Sequence, residues 1–179
     1  MLQKEDTVFV LVDVQGKLAR TVVDSERVLG QLEKLIRGLQ VLDIPIIWLE
    51  QYPKGLGETV PELVQYLNGL KPIPKMTFSA CKNDTFISKL QSTGRGQSLI
   101  AGVEAHVCVY QTAMELHTMN YDVHLVKDAV SSRTASDRQI GIQAMEQAGI
   151  KGTSVEMALY ELMEVAGTDT FKQVLKIIK

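Results

Sequence analysis

The chain has 179 residues, a size that suits one domain, and 45% of them are hydrophobic, enough for one sizeable core. Its net charge of −2 gives no basic surface for nucleic acid and no polybasic patch for a membrane. No segment approaches a membrane span, MLQKEDTVFV lacks the plan of a secretory signal, and two cysteines are too few for a disulfide scaffold.

These exclusions leave one soluble, cytoplasmic domain over residues 1–179, with an organelle address left open. Along the chain, short apolar runs alternate with segments of helical period. Thr7–Val14 reads as a strand covered on both faces. Glu26–Leu42 has apolar residues at helical spacing, and Ile44–Leu49 is a second buried strand with Pro45 at its start. Val60–Leu67 reads as helical, with Pro61 in its first turn. Lys75 lies in KPIPKMTFSAC, a loop stiffened by two prolines. Asp84 is placed to cap a helix through Leu90, and Ser98–Ala101 is the next strand. A helix containing Cys108 follows, then a strand over Tyr121–Val126. Ser136 is placed to cap a helix to Ala148, and a brief strand at Gly152–Ser154 precedes helices over Val155–Met163 and Asp169–Ile178. This alternation predicts a Rossmann-like, three-layer α/β/α sandwich around a mainly parallel sheet of about six strands.

In such sheets reactive groups gather beyond the carboxyl ends of the strands. Asp13 follows VLV, Glu50 to Tyr52 follow IIWL, and Glu104 to Cys108 follow LIAG, so all three groups are expected at one crevice. Asp13, after an apolar run, needs a partner if it is buried. Cys108, where a strand gives way to a helix, is a candidate nucleophile; its bland alternative is a small buried hydrophobe. None of the three histidines is an obvious base for it: His106 could line the same mouth, while His117 and His124 fall inside a helix and a strand. KGLGET and TGRGQS lack the context of a phosphate loop and read as turns.

The spaced Asp13, Lys75 and GVEAHVCVYQTA resemble the isochorismatase-like cysteine hydrolases over nearly the whole chain. EQYPKGLGETVPEL, KMTFSAC, DAVSSR and TSVEMALYELM look like the isochorismatase domain-containing branch of that superfamily. The resemblance implies an Asp13–Lys75–Cys108 triad in which Asp13 takes the thiol proton and Lys75 holds the charge of both. It also implies a non-proline cis peptide at Val103–Glu104 and an oxyanion hole made of the Glu104 and Cys108 backbone N–H groups. A helix start and a neighbouring ammonium are both expected to lower the thiol pKa. Glu50-Gln51-Tyr52-Pro53 stands where nicotinamidases carry an Asp-x-His metal motif, so no metal and no other cofactor is expected. True isochorismatases lack the cysteine, so Cys108 argues for covalent chemistry on an acyl or amide carbon.

The expectation is thus a hydrolase of a small amide or related C–N acyl substrate, with Gln15, Tyr52 and Phe78 as pocket walls. A homo-oligomer is expected, with Phe171, Val174, Leu175 and Ile178 of the last helix available for packing. The rival is a binding or scaffold protein that keeps the fold without turnover. A redox pair of Cys81 and Cys108 is the weaker third reading.

Overall fold

Continuous apolar runs account for the central strands. In the computed structural model, which describes all residues Met1–Lys179, β1 (Thr7–Val12) and β2 (Ile46–Gln51) are buried at every position. A strand covered on both faces has no solvent side to make polar. With β3 (Ile73–Lys75), β4 (Gln97–Val103), β5 (Asp122–Ser131) and β6 (Lys151–Thr153), they form a six-stranded sheet of order β3-β2-β1-β4-β5-β6. Every neighbouring pair is parallel. The order reverses between β1 and β4, and that switch point opens a crevice at the carboxyl ends of the strands.

The crossovers supply the helices. Short α1 (Leu18–Thr21) leads into α2 (Ser25–Val41), which turns Leu29, Leu32, Leu35, Ile36 and Leu39 inward. Two single turns, α3 (Pro53–Leu56) and α4 (Pro61–Val64), precede β3, and a 3-10 turn (Ala80–Lys82) precedes α5 (Asp84–Ser92). The rest are α6 (Cys108–Thr118), α7 (Ala135–Gln147), α8 (Val155–Met163) and α9 (Asp169–Ile178). Helices α2, α8 and α9 pack together as one layer; α6 packs with α7 and with the 3-10 turn as another. One contiguous apolar cluster of 48 buried residues joins both layers to the sheet. No helix is long and apolar enough to cross a membrane.

Several local expectations change. The helix expected over Val60–Leu67 shrinks to the turn α4, after which the chain tightens into turns, with Tyr66 N donating to the Leu63 carbonyl at 3.0 Å and Leu67 N to the Val64 carbonyl at 2.9 Å. Asn83 rather than Asp84 caps α5, accepting from Phe86 N at 3.0 Å, and Thr134 rather than Ser136 caps α7, accepting from Asp137 N at 3.0 Å. Lys75 is not on a loop: it ends the edge strand β3, in register with Gln51. The apolar face of α9 is turned to its own chain, with Val174 fully buried and Phe171 edge-on to Tyr160 of α8.

One glycine is required where β1 and β4 meet. Gly102 has φ +122°, and a Cβ there would overlap the carbonyl oxygen of Val12. Its absence lets β4 run close beside β1 just before the chain turns into the crevice.

Candidate active site

Four strands deliver polar groups to this crevice. Asp13 directly follows β1 with φ +52°, a left-handed conformation that Asp tolerates better than most residues. Gln51 ends β2 and Lys75 ends β3, and their parallel register sets the two side chains side by side. Beyond β4 the Val103–Glu104 peptide is cis, and a short turn brings Cys108 to the first position of α6.

The centre is an ion pair removed from water. Lys75 Nζ donates to Asp13 Oδ2 at 2.7 Å, with side-chain exposures of 0% and 1%. A buried charge left without such a partner would be strongly destabilising. Nζ also donates to Gln51 Oε1 at 2.7 Å and to the carbonyls of Phe78 and Thr77 at 3.1 and 3.3 Å. The second carboxylate oxygen, Asp13 Oδ1, is buried and has no hydrogen-bond partner. It is a spare acceptor on a carboxylate that couples to the Cys108 thiol both by charge and by hydrogen bonding.

Burial dominates the acidities. It pushes the Asp13 carboxyl above its ordinary range, against the Lys75 ammonium, which pulls it down. The Cys108 thiol is pushed up to about 12, first by burial and then by the Asp13 charge, with Lys75 opposing both. This corrects the expectation of an acidified thiol. Lys75 is already matched by one anion, so a thiolate beside it would be a second anion in a dry site. The resting group is therefore the thiol.

Two residues of the cavity wall, Glu104 and Cys108, have backbone donors left over. Neither Glu104 N–H nor Cys108 N–H finds an acceptor in the chain, whereas the Ala105, Val107 and Val109 N–H groups all do. The Glu104 carboxylate is turned aside: its Oε1 accepts from Arg133 Nε at 3.0 Å and from Arg133 N at 3.1 Å. The cavity encloses about 270 Å³ and is walled by Asp13, Gln51, Glu104 and Cys108, by Arg133, and by the apolar Leu18, Leu56, Phe78, Val103 and Val107. A larger open groove of about 620 Å³ lies at the amino end of β2, around Ile44–Ile47 and Arg95, away from these groups.

The expected pocket walls fare unevenly. Phe78 lines the cavity, on a segment docked to α6 by Ala80 N donating to Thr112 Oγ1 at 3.0 Å and Ser79 Oγ donating to Glu115 Oε2 at 2.8 Å. Gln15 does not line it: fully buried, it donates to the Gln51 and Gly57 carbonyls at 3.0 and 2.6 Å and accepts from Gln51 N at 2.6 Å. Tyr52 does not line it either, because φ +36° swings the ring into solvent. Of the Glu50–Tyr52 stretch only Gln51 faces the crevice; Glu50 is bound to Thr59 N and Oγ1 at 2.7 and 2.8 Å. His106 is not on the cavity wall, and its Nδ1 is paired with Ser132 Oγ at 2.9 Å. Cys81 lies within the 3-10 turn and does not line the cavity; its Sγ is 3.8 Å from the Thr112 carbonyl. Sequence reasoning missed Arg133, Leu18 and Leu56 as wall residues; Gln51 and Val107 lie in the two stretches expected at the crevice but were not singled out there.

Relatives place this geometry. The Isochorismatase domain model matches residues 7–157. Isochorismatase domain-containing protein 2 of Danio rerio is 37% identical over 178 residues, spanning 99% of this chain and 89% of its own. Among solved structures, MAR1 ribonuclease of Caenorhabditis elegans superposes with a TM-score of 0.92 at 36% identity, over 99% of this chain and 91% of that one. YcaC of Pseudomonas aeruginosa, solved with hexane-2,5-diol and covalent acrylamide, has a TM-score of 0.92 at 25% identity, over 98% and 90%. YcaC of Escherichia coli, described as an octameric hydrolase of unknown specificity, has a TM-score of 0.93 at 25% identity, over 99% and 88%. A family match over most of the chain, full-length relatives and a shared six-stranded parallel fold agree: the chain belongs to the isochorismatase family of α/β hydrolases.

Proposed function

We propose that this chain is a cysteine hydrolase of a small amide or related C–N acyl substrate, working through a Cys108 thioester. The observation that carries the reading is the unpartnered Asp13 Oδ1 beside the thiol, with its twin Oδ2 held by Lys75. In the first step Cys108 Sγ attacks the carbonyl carbon as its proton passes to Asp13 Oδ1. The site's net charge does not change in that transfer, which is why Lys75 serves both forms. The new S–C bond leaves an oxyanion that Glu104 N–H and Cys108 N–H receive. Its collapse breaks the C–N bond, and Asp13 returns the proton to the leaving nitrogen. Water then attacks the thioester and loses a proton to Asp13. Collapse breaks the C–S bond, and the proton goes back to Sγ. The sum is amide plus water giving acid plus amine.

A raised thiol pKa fits this order of events. The nucleophile is made only as it is used, since proton transfer and attack are concerted with substrate in place. The covalent acrylamide on the Pseudomonas aeruginosa relative is in keeping with a nucleophilic side chain in this fold. The ribonuclease named at 36% identity suggests a phosphodiester instead. The overall charge of −2, with Lys75 neutralised by Asp13 and Arg133 paired to Glu104, favours the amide.

Homo-oligomerisation belongs to the same proposal, by likeness to the octameric relative. The surface suited to it is the exposed apolar rim of Tyr52, Met76 and Phe78, not α9. Two free thiols suit a reducing, cytoplasmic compartment. The test is ammonia or amine release from a library of small amides, with Cys108→Ala as the blank. Stopping turnover with acid should leave an acyl adduct on Cys108 by mass spectrometry. Release that survives in Cys108→Ala would sink the reading.

A further inference from the structure

Both charged pairs at the cavity are closed on themselves. Asp13 in its wall is matched by Lys75 behind it, at 2.7 Å. Arg133 is matched by Glu104, whose Oε1 takes both Nε and the main-chain N–H. Asp137 adds a second carboxylate near Arg133. The Arg133 side chain is 63% exposed and its single charge is offset by Glu104, with Asp137 adding to the negative side, so the mouth carries no surplus positive charge for an incoming anion. Nor does it offer an incoming cation an uncompensated carboxylate, since Asp13 is buried and its charge is already matched by Lys75 through Oδ2. The other wall side chains are Cys108, the apolar Leu18, Leu56, Phe78, Val103 and Val107, and Gln51, an uncharged amide whose oxygen accepts from Lys75 and whose nitrogen donates to the Met76 carbonyl. At about 270 Å³ the space falls below the roughly 300–1,000 Å³ of most ligand pockets.

Resting on the hydrolase reading above, we infer that the substrate is an uncharged amide with a small apolar acyl group, and that the pocket discriminates against amides carrying a carboxylate or an ammonium. The physical cause is desolvation without compensation. A charged substituent among Leu18, Leu56, Phe78 and Val107 would give up water and meet no unpaired counter-charge. An alkyl group loses nothing there and removes apolar surface from water.

Three probes of nearly one shape test this: butyramide, succinamate and β-alaninamide, which end in methyl, carboxylate and ammonium. Titrated calorimetrically into Cys108→Ala, butyramide should bind at least about tenfold tighter than either charged probe. In the wild type the same order should appear in kcat/KM for ammonia release. Leu56→Lys, at a partly exposed turn, should reverse the preference toward succinamate. Equal or tighter binding of succinamate or β-alaninamide to Cys108→Ala would overturn the inference, and so would failure of all three to saturate it. Butyramide binding with no ammonia from wild-type protein would defeat the hydrolase reading alone and leave the neutral pocket standing.

Discussion

Gln51 Oε1 accepts from Lys75 Nζ at 2.7 Å, the same distance at which Nζ meets Asp13. The amide is held in that sense by its other end, because Gln51 Nε2 donates to the Met76 carbonyl at 2.9 Å. One oxygen thus aims the ammonium, and it lies 4.0 Å from Cys108 Sγ. Gln51→Leu keeps the volume and removes the acceptor. A hydrogen bond to a charged group contributes about 1.5–3 kcal/mol, which as transition-state stabilisation corresponds to roughly tenfold to hundredfold in rate. The expected result is a fall of that size in kcat for amide release, in a protein that still shows a cooperative melt.

The thiols should be slow and alkali-sensitive. Cys81 is pushed up to about 11 and Cys108 to about 12, both chiefly by burial, against about 8.5 for a free cysteine. Iodoacetamide should therefore label both sluggishly at neutral pH, slower than denatured protein, with rates rising as pH rises. Stability should respond in the same window. Below about pH 8.5 both folded and unfolded states hold these protons, so the thiols add no slope. Above it the unfolded chain ionises first, and the folded state loses stability until pH passes about 11 to 12. Denaturant melts from pH 8 to 10.5 on wild type and a Cys81→Ala, Cys108→Ala double variant check this. An equal slope in both would count against buried neutral thiols.

Residue patterns make the strands, the main helices and the crevice legible, because continuous apolar runs and helical spacing report burial directly. Asp13 stands out at the carboxyl end of an apolar run, and Cys108 where a strand gives way to a helix. Gln51 does not. Within a strand a one-residue step changes which way a side chain points, and only the positive φ of Tyr52 turns the tyrosine out and leaves Gln51 at the crevice. β3 is hidden by Pro74, which an edge strand tolerates because its missing N–H faces no partner. The acidity of Cys108 is illegible for another reason. The helix start and the lysine can be read from sequence, but the depth of burial that outweighs them cannot. The expected acid beside a lysine is present; the charge balance between them decides the sign.

Helix α7 presses on the turn that carries the nucleophile. A Cβ at Gly141 would come within 2.7 Å of the Ala105 carbonyl oxygen and 2.8 Å of His106 Cα, both backbone. Backbone atoms at that distance cannot yield as a side-chain end would. Gly141→Ala, otherwise favourable in a helix by about 1 kcal/mol, should instead lower Tm and reduce turnover by displacing Glu104 N–H and Cys108 N–H. Gly30, in α2 with nothing near a Cβ, is the control: Gly30→Ala should raise Tm and leave activity unchanged. Equal effects of the two substitutions would show that the close approach of α7 is not what matters.

The buried pair itself separates chemistry from stability. Asp13→Asn keeps the shape but removes the base and leaves Lys75 without a counter-charge, at 0% exposure. Breaking a buried pair on one side costs about 3–5 kcal/mol, whereas replacing both partners by apolar residues of like volume is often neutral. Asp13→Asn and Lys75→Met should therefore each lower the denaturation midpoint substantially, and Asp13→Asn with Lys75→Met should recover much of it. Turnover should not recover. Each single variant should lose at least about a hundredfold in kcat, the low end for acid–base catalysis, and the double should be no better. His106→Ala, which gives up only a bond to Ser132, should stay within about threefold of wild type. A double variant that regained activity along with stability would mean that Asp13 and Lys75 hold the fold together and that the proton goes elsewhere. If His106→Ala abolished turnover while Asp13→Asn retained it, the unpartnered Oδ1 would not be the acceptor.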